Sequence, residues 1–216
     1  LFISHYAPRK LAHTLGYFID LLAAIPSVVY GLWGIGVLAP ILSRSWYPWL
    51  EDHLGFLPFF RGPASTSGRT ILTVAVVFAV MILPIITAIS REVFLQTPRL
   101  HEEAALALGA TRWEMIRQAV LPHGRSGVIS GSMLALGRAL GETMAVAIIL
   151  SPADIVSFNV ISNQNPNTIA ANIALKFPES SGLTVNRLIF TGLVLFFLTF
   201  IVNGLARKIA NAGSHQ

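Results

Sequence analysis

Cysteine is absent from this chain of 216 residues. Its absence excludes a disulfide framework, a thiolate nucleophile and a cysteine metal site. Charged residues are also scarce: they make up 12% of the chain, compared with about 25% in a soluble domain. Hydrophobic residues make up 54% instead. This composition is typical of an integral membrane protein.

Motifs for nucleotide hydrolysis and for common hydrolases are missing as well. The sequence has no glycine-rich phosphate loop with lysine and serine or threonine, no nucleophile elbow and no HExxH motif. Its six histidines lack metal-ligand spacing, and the residues behind the net charge of +5 form no basic face. We therefore expect that the chain binds no ATP, cofactor, metal or nucleic acid.

Four apolar segments are long enough to cross a bilayer, which takes about 20 residues. They are 21–42, 71–89, 127–150 and 188–206. Together they predict an all-α, polytopic membrane protein with at least four transmembrane helices.

The two outer connections differ in character. Loop 43–70 is rich in aromatic residues, which are typical of the headgroup level. These are Trp46, Tyr47, Trp49, Phe56, Phe59 and Phe60. Loop 151–186 is polar, with a short helix predicted near 168–177.

Lysine and arginine predict the orientation. The segment before the first span, the loop between the second and third spans and the tail after the fourth span carry nine of them, against five on the other side. The positive-inside rule then places loop 91–127 and the C-terminus on the cytoplasmic side.

Two ionisable residues lie within the third predicted span. Arg138 and Glu142 are four residues apart, so a continuous helix would place them on one face. A charge at the bilayer centre costs about 2.5–3.5 kcal/mol on insertion scales, so such residues usually face a bundle interior or a polar pathway. Two interpretations stay open: a mutually neutralising pair, or an arginine that binds an anion crossing the membrane.

A second face of the same span carries small residues at every fourth position. They are Gly127, Gly131, Ala135 and Ala139. This spacing predicts close packing against a neighbouring helix.

The predicted cytoplasmic loop begins with signals for a short helix. Thr97 and Pro98 predict its N-cap and first helical residue, and Gly109 predicts its end. An ordinary ordered loop is the alternative.

A second helix is expected to follow. Thr111 and Glu114 fit a capping box. The pair Leu121 and Pro122 is expected to end this helix. Two short capped helices would form a compact projection between two spans.

This loop resembles the EAA signature of ABC importer permeases. The matching residues are Glu103, Ala104, Ala105, Gly109, Leu121 and Pro122. Ala119 stands where the signature commonly has isoleucine. In that family the loop, here about 91–127, docks into a cytoplasmic ATPase as the coupling helix. The resemblance implies the type I ABC importer permease fold (MetI-like), in one transmembrane domain over residues 1–216.

Two further runs, 24–34 and 136–146, resemble permeases of bacterial high-affinity phosphate importers. Tyr30 and Trp33 make the first run similar to the C-type subunit. The resemblance covers about 6–208 and implies a location in the bacterial inner membrane. It also implies an A-type second permease, a homodimeric ATP-binding subunit that carries ATP and Mg, and an extracytoplasmic phosphate-binding protein. The family has six spans per subunit, so we expect the remaining helices to precede Leu1.

The resemblance makes Arg138, Glu142 and Thr143 candidates for the substrate path. Arginine offers a permanent fork of donors that suits the oxygens of phosphate. Glu142 would hold Arg138 until substrate competes for it, so we expect Glu142→Gln to impair transport without impairing assembly. The Thr143 hydroxyl could donate to substrate or bond back to its own helix.

Other functions remain open at this point. A permease for molybdate or sulfate would use the same arginine chemistry. A membrane-embedded enzyme with Glu142 as its acid or base would need more polar partners than these spans contain. A passive channel would have no use for a docking loop.

Overall fold

The computed structural model describes residues 1–153 and 155–212, of which 209–212 are described by their backbone only. These residues form helices and no β-strand, which confirms the predicted all-α class. The helices are α1 (Arg9–Ala23), α2 (Ser27–Leu54), α3 (Ile71–Leu95), α4 (Arg99–Ala107), α5 (Arg112–Met115), α6 (Leu121–Leu140), α7 (Met144–Ile149), α8 (Ile169–Lys176) and α9 (Leu183–Ala212). A π turn, Ile116–Val120, joins α5 to α6 without a break.

Three helices among the described residues are long and apolar enough to cross a membrane. They are α2, α3 and the part of α9 from Leu183 to Lys208. They correspond to three of the four predicted spans.

The first predicted span, 21–42, has the wrong boundaries. Proline has no N–H and disfavours the α conformation in the residue before it, so the chain leaves α1 after Ala23 and begins α2 beyond Pro26. Helix α2 then continues through two π turns to Leu54. The first part of the predicted loop 43–70 is therefore helical.

The chain divides into two compact units. The first contains Leu1–Ala24, Ile82–Arg138 and the chain from Thr199 onward. The second contains Ile25–Met81 and Ala139–Leu198.

The first unit has a core beneath the predicted cytoplasmic loop. Phe94 of α3 packs with Met115, Ile116 and Val120, and all four are buried. Ile116 and Val120, four residues apart, thus place one face of this segment in a core.

Close contact between α6 and α3 depends on glycine. A Cβ at Gly127 would lie 2.6 Å from the methyl carbons of Val93, and one at Gly131 would lie 2.6 Å from Cγ2 of Ile89. Ala135, on the same stripe, is fully buried. The predicted packing role is confirmed for these three residues.

Polar contacts also tie the first unit together. The Arg91 guanidinium lies 3.9 Å from the Asp20 carboxylate, and His5 Nε2 lies 3.4 Å from Oε1 of Glu102. A Cβ at Gly16 would lie 2.7 Å from Cζ of Arg91, so glycine makes room for the guanidinium.

In the second unit, Tyr47 anchors the end of α2. Its ring is fully buried beside Leu42 and Ile161, and its hydroxyl lies 2.7 Å from Thr70 Oγ1 and 2.5 Å from Thr73 Oγ1. Tyr47 is therefore a core residue, in contrast to the predicted headgroup position. Trp46 and Trp49 of the same aromatic group are more than half exposed.

The two predicted outer loops interlock within the second unit. Ser65 N donates to Ile161 O at 2.7 Å, and Leu72 N donates to Val160 O at 3.0 Å. The buried Asn165 accepts from Ile71 N at 3.2 Å and donates to Arg69 O at 2.7 Å. The short helix predicted near 168–177 is confirmed as α8, with Thr168 as its N-cap.

Candidate functional site

The third predicted span, 127–150, is not one helix. Helix α6 ends at Leu140, and α7 begins only at Met144. The intervening residues are Gly141, Glu142 and Thr143, all outside helical structure. Arg138 thus lies in the last turn of α6 and Glu142 lies beyond its end, so the predicted shared helix face is wrong.

The Glu142 side chain explains the break. Its Oε1 accepts hydrogen bonds from the backbone N–H groups of Met144 and Ala145, both at 3.1 Å. Glu142 is 9% exposed and Ala145 is fully buried, so the carboxylate satisfies one donor that would otherwise be buried without a partner, together with the less buried N–H of Met144. A negative group also suits the positive end of the helix dipole.

Thr143 occupies the N-cap position of α7, but its side chain makes no capping hydrogen bond. The glutamate one residue earlier performs that role instead. A place for Glu142 and Thr143 on a substrate path stays a prediction.

The other end of α7 is held by Arg69, which sequence reasoning counted only toward orientation. Its Nε donates to Ile149 O at 3.1 Å, and its Nη2 lies 3.4 Å from both Ile148 O and Leu150 O. These carbonyls have no partner within the helix, and a cation there complements the dipole. Helix α7 is therefore capped by opposite charges at its two ends.

Arg138 lines a cavity of about 720 Å³ in the first unit. The wall includes Ile85 of α3, Met133 and Gly137 of α6, and Asn203 and Arg207 of α9. Arg138 is exposed, and it has no hydrogen bond or ion pair with any residue that the structure describes. A Cβ at Gly137 would meet nothing within 4 Å, so the cavity stays open beside the arginine.

Asn203 and Arg207 were missed as site residues. Arg207 entered the sequence analysis only as one of the basic residues that set orientation. The available signal was their spacing: residues four apart at the end of an apolar helix share one face. Sequence alone does not show that this face meets the face of Arg138.

The predicted docking loop forms a rigid element in the first unit. Within α4, Glu103 and Ala104 are exposed, while Ala105 packs against the buried cluster of Phe94 and Ile116. Gly109 has φ +87°, a left-handed conformation that glycine adopts without strain. The predicted end of this helix is confirmed.

The start of α4 differs from the prediction. Pro98 is the N-cap residue, and the first helical residue is Arg99. The Thr97 hydroxyl is buried without a hydrogen-bond partner among the described residues, so it does not cap the helix.

The predicted capping box is confirmed at α5. Glu114 N donates to Thr111 Oγ1 at 3.3 Å, and the Glu114 carboxylate accepts from Thr111 N at 2.7 Å and from its hydroxyl at 2.8 Å. These hydrogen bonds lower the pKa of Glu114 below its ordinary value, with the backbone bond as the main cause.

The prediction that Leu121 and Pro122 end the second helix is wrong. Leu121 packs against the buried cluster, and the chain continues directly into α6. Its N–H bonds to Ile116 O, five residues back, which is π-helical pairing. Pro122 falls in the first turn of α6, where its missing N–H costs little because the wider π turn precedes it.

Comparison with protein families gives one match over nearly the whole chain. The family model described as "Binding-protein-dependent transport system inner membrane component" matches residues 2–212.

Curated relatives are similar over the same region. "Phosphate transport system permease protein PstC 2" of Mycobacterium tuberculosis is 51% identical over 97% of this chain and 65% of its own length. "Phosphate transport system permease protein PstC" of Mycobacterium leprae is 48% identical over 97% of this chain and 66% of its own length. The protein of the same name from Xylella fastidiosa is 44% identical over 95% of this chain and 64% of its own length. The chain thus spans just under two thirds of the length of these relatives.

Proposed function

Because the chain belongs to the family of binding-protein-dependent transport system inner membrane components, we propose that it is a permease subunit that moves inorganic phosphate into the cytoplasm. ATP hydrolysis on partner subunits would drive the movement. The names of the relatives support phosphate as the substrate. The observation that carries the proposal is that Arg138 lines a cavity and has no hydrogen bond or ion pair with the described part of the chain.

Arg138 has the right chemistry for this role. Guanidinium stays charged at any physiological pH and presents donors in a fork that matches phosphate oxygens. Much of the cavity wall is apolar, with Ile85 and Met133, and an apolar wall strengthens hydrogen bonds to an anion. Glu142 has partners of its own in this arrangement, because its Oε1 already accepts from two backbone N–H groups.

We further propose that α4 and its flanks dock on the ATPase partner. The exposed side of this element carries the apolar side chains of Leu100, Leu106, Leu108 and Trp113, with Leu108 90% exposed. Exposed apolar groups on an ordered projection are typical of an interaction site. The residues Ala105 and Leu121 connect this surface to the buried cluster of the first unit, so a push on α4 would reach α3 and α6.

The remaining assignments follow from the family and from the charge distribution. The partners would be an A-type permease subunit, a homodimer of ATP-binding subunits and an extracytoplasmic phosphate-binding protein. Residues 1–216 would belong to one transmembrane domain in the bacterial inner membrane. The loop 91–127 and the C-terminus would face the cytoplasm, where lysine and arginine are favoured.

Uptake of radioactive phosphate by the reconstituted complex tests this function. We expect Arg138→Ala to reduce uptake by about 10- to 100-fold, because a hydrogen bond to a charged group contributes about 1.5–3 kcal/mol. Arg138→Lys should retain part of the activity, since lysine keeps the charge but loses the fork. ATP hydrolysis and complex assembly should persist in both variants.

Arg187→Ala is the matched control, because Arg187 is an exposed arginine that does not line the cavity. Uptake by Arg138→Ala equal to that of the control would remove Arg138 from the substrate path. Competition with sulfate and molybdate identifies the transported oxyanion; inhibition by either as strong as by unlabelled phosphate would contradict the assignment of phosphate.

A further inference from the structure

The cavity beside Arg138 contains a second arginine. Asn203 and Arg207 are one helical turn apart on α9, and both line the cavity, as does Ala206 between them. Arg138 and Gly137 face it from α6. Two helices of the first unit therefore direct polar side chains into one space.

The charge in this space is uncompensated. Among the residues that the structure describes, the cavity wall includes Arg138 and Arg207 but no aspartate or glutamate. Like Arg138, Arg207 has no hydrogen bond or ion pair with the residues in 1–153 and 155–212. Two like charges that share one cavity repel each other, and an anion between them would relieve that repulsion.

The donors also suit one kind of anion. Each guanidinium offers five N–H donors, and the Asn203 amide offers two more. Ser130 adds none, because its hydroxyl already donates to Ser126 O at 2.9 Å. A tetrahedral oxyanion has several acceptor oxygens and can bind both forks at once. A planar carboxylate has only two oxygens and would leave part of this donor set unused.

The ordinary interpretation of Arg207 is that of a basic residue at the cytoplasmic end of a span. Arg207 and Lys208 are both exposed, but Lys208 does not line the cavity and so fits that interpretation fully. Arg207 differs from Lys208 in the direction it faces, although the two are adjacent in the chain. This difference provides a control within the same turn of α9.

We propose that Arg207 and Asn203 complete, together with Arg138, a binding site for a phosphate group. The role of Arg138 rests on the proposed function, and the two residues of α9 extend it to a site with three donor side chains. Two sources could supply this group: inorganic phosphate in transit or the headgroup of an anionic phospholipid. Both present the same tetrahedral oxygens to the cavity.

The test uses the complete transport complex in two kinds of vesicle, one of phosphatidylcholine alone and one that also contains phosphatidylglycerol. Arg207→Gln and Asn203→Leu are compared with wild type and with Lys208→Gln. Three quantities are measured: phosphate transported per ATP hydrolysed, phosphate uptake rate, and phosphatidylglycerol retained by the complex in native mass spectrometry.

If inorganic phosphate occupies the site, Arg207→Gln should lower the phosphate transported per ATP about tenfold in both kinds of vesicle, and Asn203→Leu should lower it less. If a lipid headgroup occupies the site, Arg207→Gln should lose bound phosphatidylglycerol, and its uptake should differ from wild type only in vesicles that contain this lipid. Either pattern supports the phosphate-group site and identifies its occupant.

Behaviour of Arg207→Gln identical to that of Lys208→Gln in both vesicles and in lipid retention would overturn the proposal. Failure of the proposed function has a different signature, since wild-type complex would then transport no phosphate in either vesicle. Lipid retention would still test the two residues of α9 in that case.

Discussion

The middle of helix α6 and its last turn have similar residues and different surroundings. In the middle, Gly127 and Gly131 touch side chains of α3 so closely that a Cβ would lie 2.6 Å from them. In the last turn, a Cβ at Gly137 would have no neighbour within 4 Å, and Arg138 next to it has no partner among the described residues. The same residue type thus permits packing in the middle and leaves space in the last turn.

This difference shows what a small residue in a membrane helix can mean. Glycine opposite a neighbouring helix lets the two backbones approach, so its replacement changes stability. Glycine beside a cavity is not required by any neighbour, so its replacement changes what the cavity can hold. Whether a side chain of another helix lies against the glycine decides between the two roles.

The largest effect on stability is expected where the chain leaves α6. Glu142→Ala removes the acceptor for the N–H groups of Met144 and Ala145 at a buried position. The Ala145 N–H is buried, and an unsatisfied buried donor costs about 1–3 kcal/mol, so the melting temperature of the purified complex should fall clearly. Glu142→Gln keeps one acceptor oxygen, so its melting temperature should fall less.

This experiment also decides between two roles of the carboxylate. If the Glu142 carboxylate acts as a helix cap, Glu142→Ala should lower the stability of the complex and Glu142→Gln should retain most of it. Normal stability in both variants together with lost uptake would instead support the earlier hypothesis that Glu142 holds Arg138 until substrate arrives.

A smaller effect separates the middle of α6 from its last turn directly. Gly131→Leu forces a side chain against Ile89 and should destabilise the complex by about 1–3 kcal/mol, measured as a lower melting temperature. Gly137→Leu should leave the melting temperature unchanged or raise it, because glycine is the poorer helix former by up to about 1 kcal/mol. It should nevertheless reduce phosphate uptake, since the new side chain enters the space beside Arg138.

Equal destabilisation by the two leucine variants would contradict the distinction between a packed middle and an open last turn. Full uptake by Gly137→Leu would show that the space beside Arg138 is not used.

The smallest effect is expected at the exposed cap of α5. Thr111→Ala removes the N-cap hydroxyl, and such a loss costs about 0.5–2 kcal/mol at helix termini, with exposed sites at the low end. Because the pKa of Glu114 is lowered in the folded protein, its contribution is present above the unfolded pKa and is lost as pH falls through the folded pKa. A melting-temperature series on acidification should therefore show a smaller decline in Glu114→Gln than in wild type, whereas Thr111→Ala keeps the backbone N–H that is the main cause of the lowered pKa. An unchanged decline in Glu114→Gln would contradict the cap.

The docking loop could be predicted from sequence because its signals are local. Thr111 and Glu114 are three residues apart, and Gly109 directly follows the helix that it ends. Long apolar runs likewise predicted three membrane helices. Each of these features depends on neighbours within a few positions of the chain.

The candidate site could be predicted only in part because its geometry depends on distant residues. Arg138 could be identified as a charge in an apolar run. The sequence did not show that the helix is interrupted after Leu140, where Glu142 accepts hydrogen bonds from the backbone. Arg207 is far from Arg138 in sequence, and no periodicity connects α9 with α6. At Pro26 the local signal for a helix break was present in the sequence. The prediction nevertheless placed one span across it, because the residues on both sides are apolar.

Helix α7 has a consequence for the order in which the second unit assembles. A helix of six residues cannot persist alone, since nucleation is unfavourable and few hydrogen bonds repay it. Its last carbonyls are bound by Arg69, 80 residues away along the chain from Ile149. The helix and this long-range contact should therefore form together, late in folding, and the exchange of the α7 amides with deuterium should report whether the whole second unit is assembled.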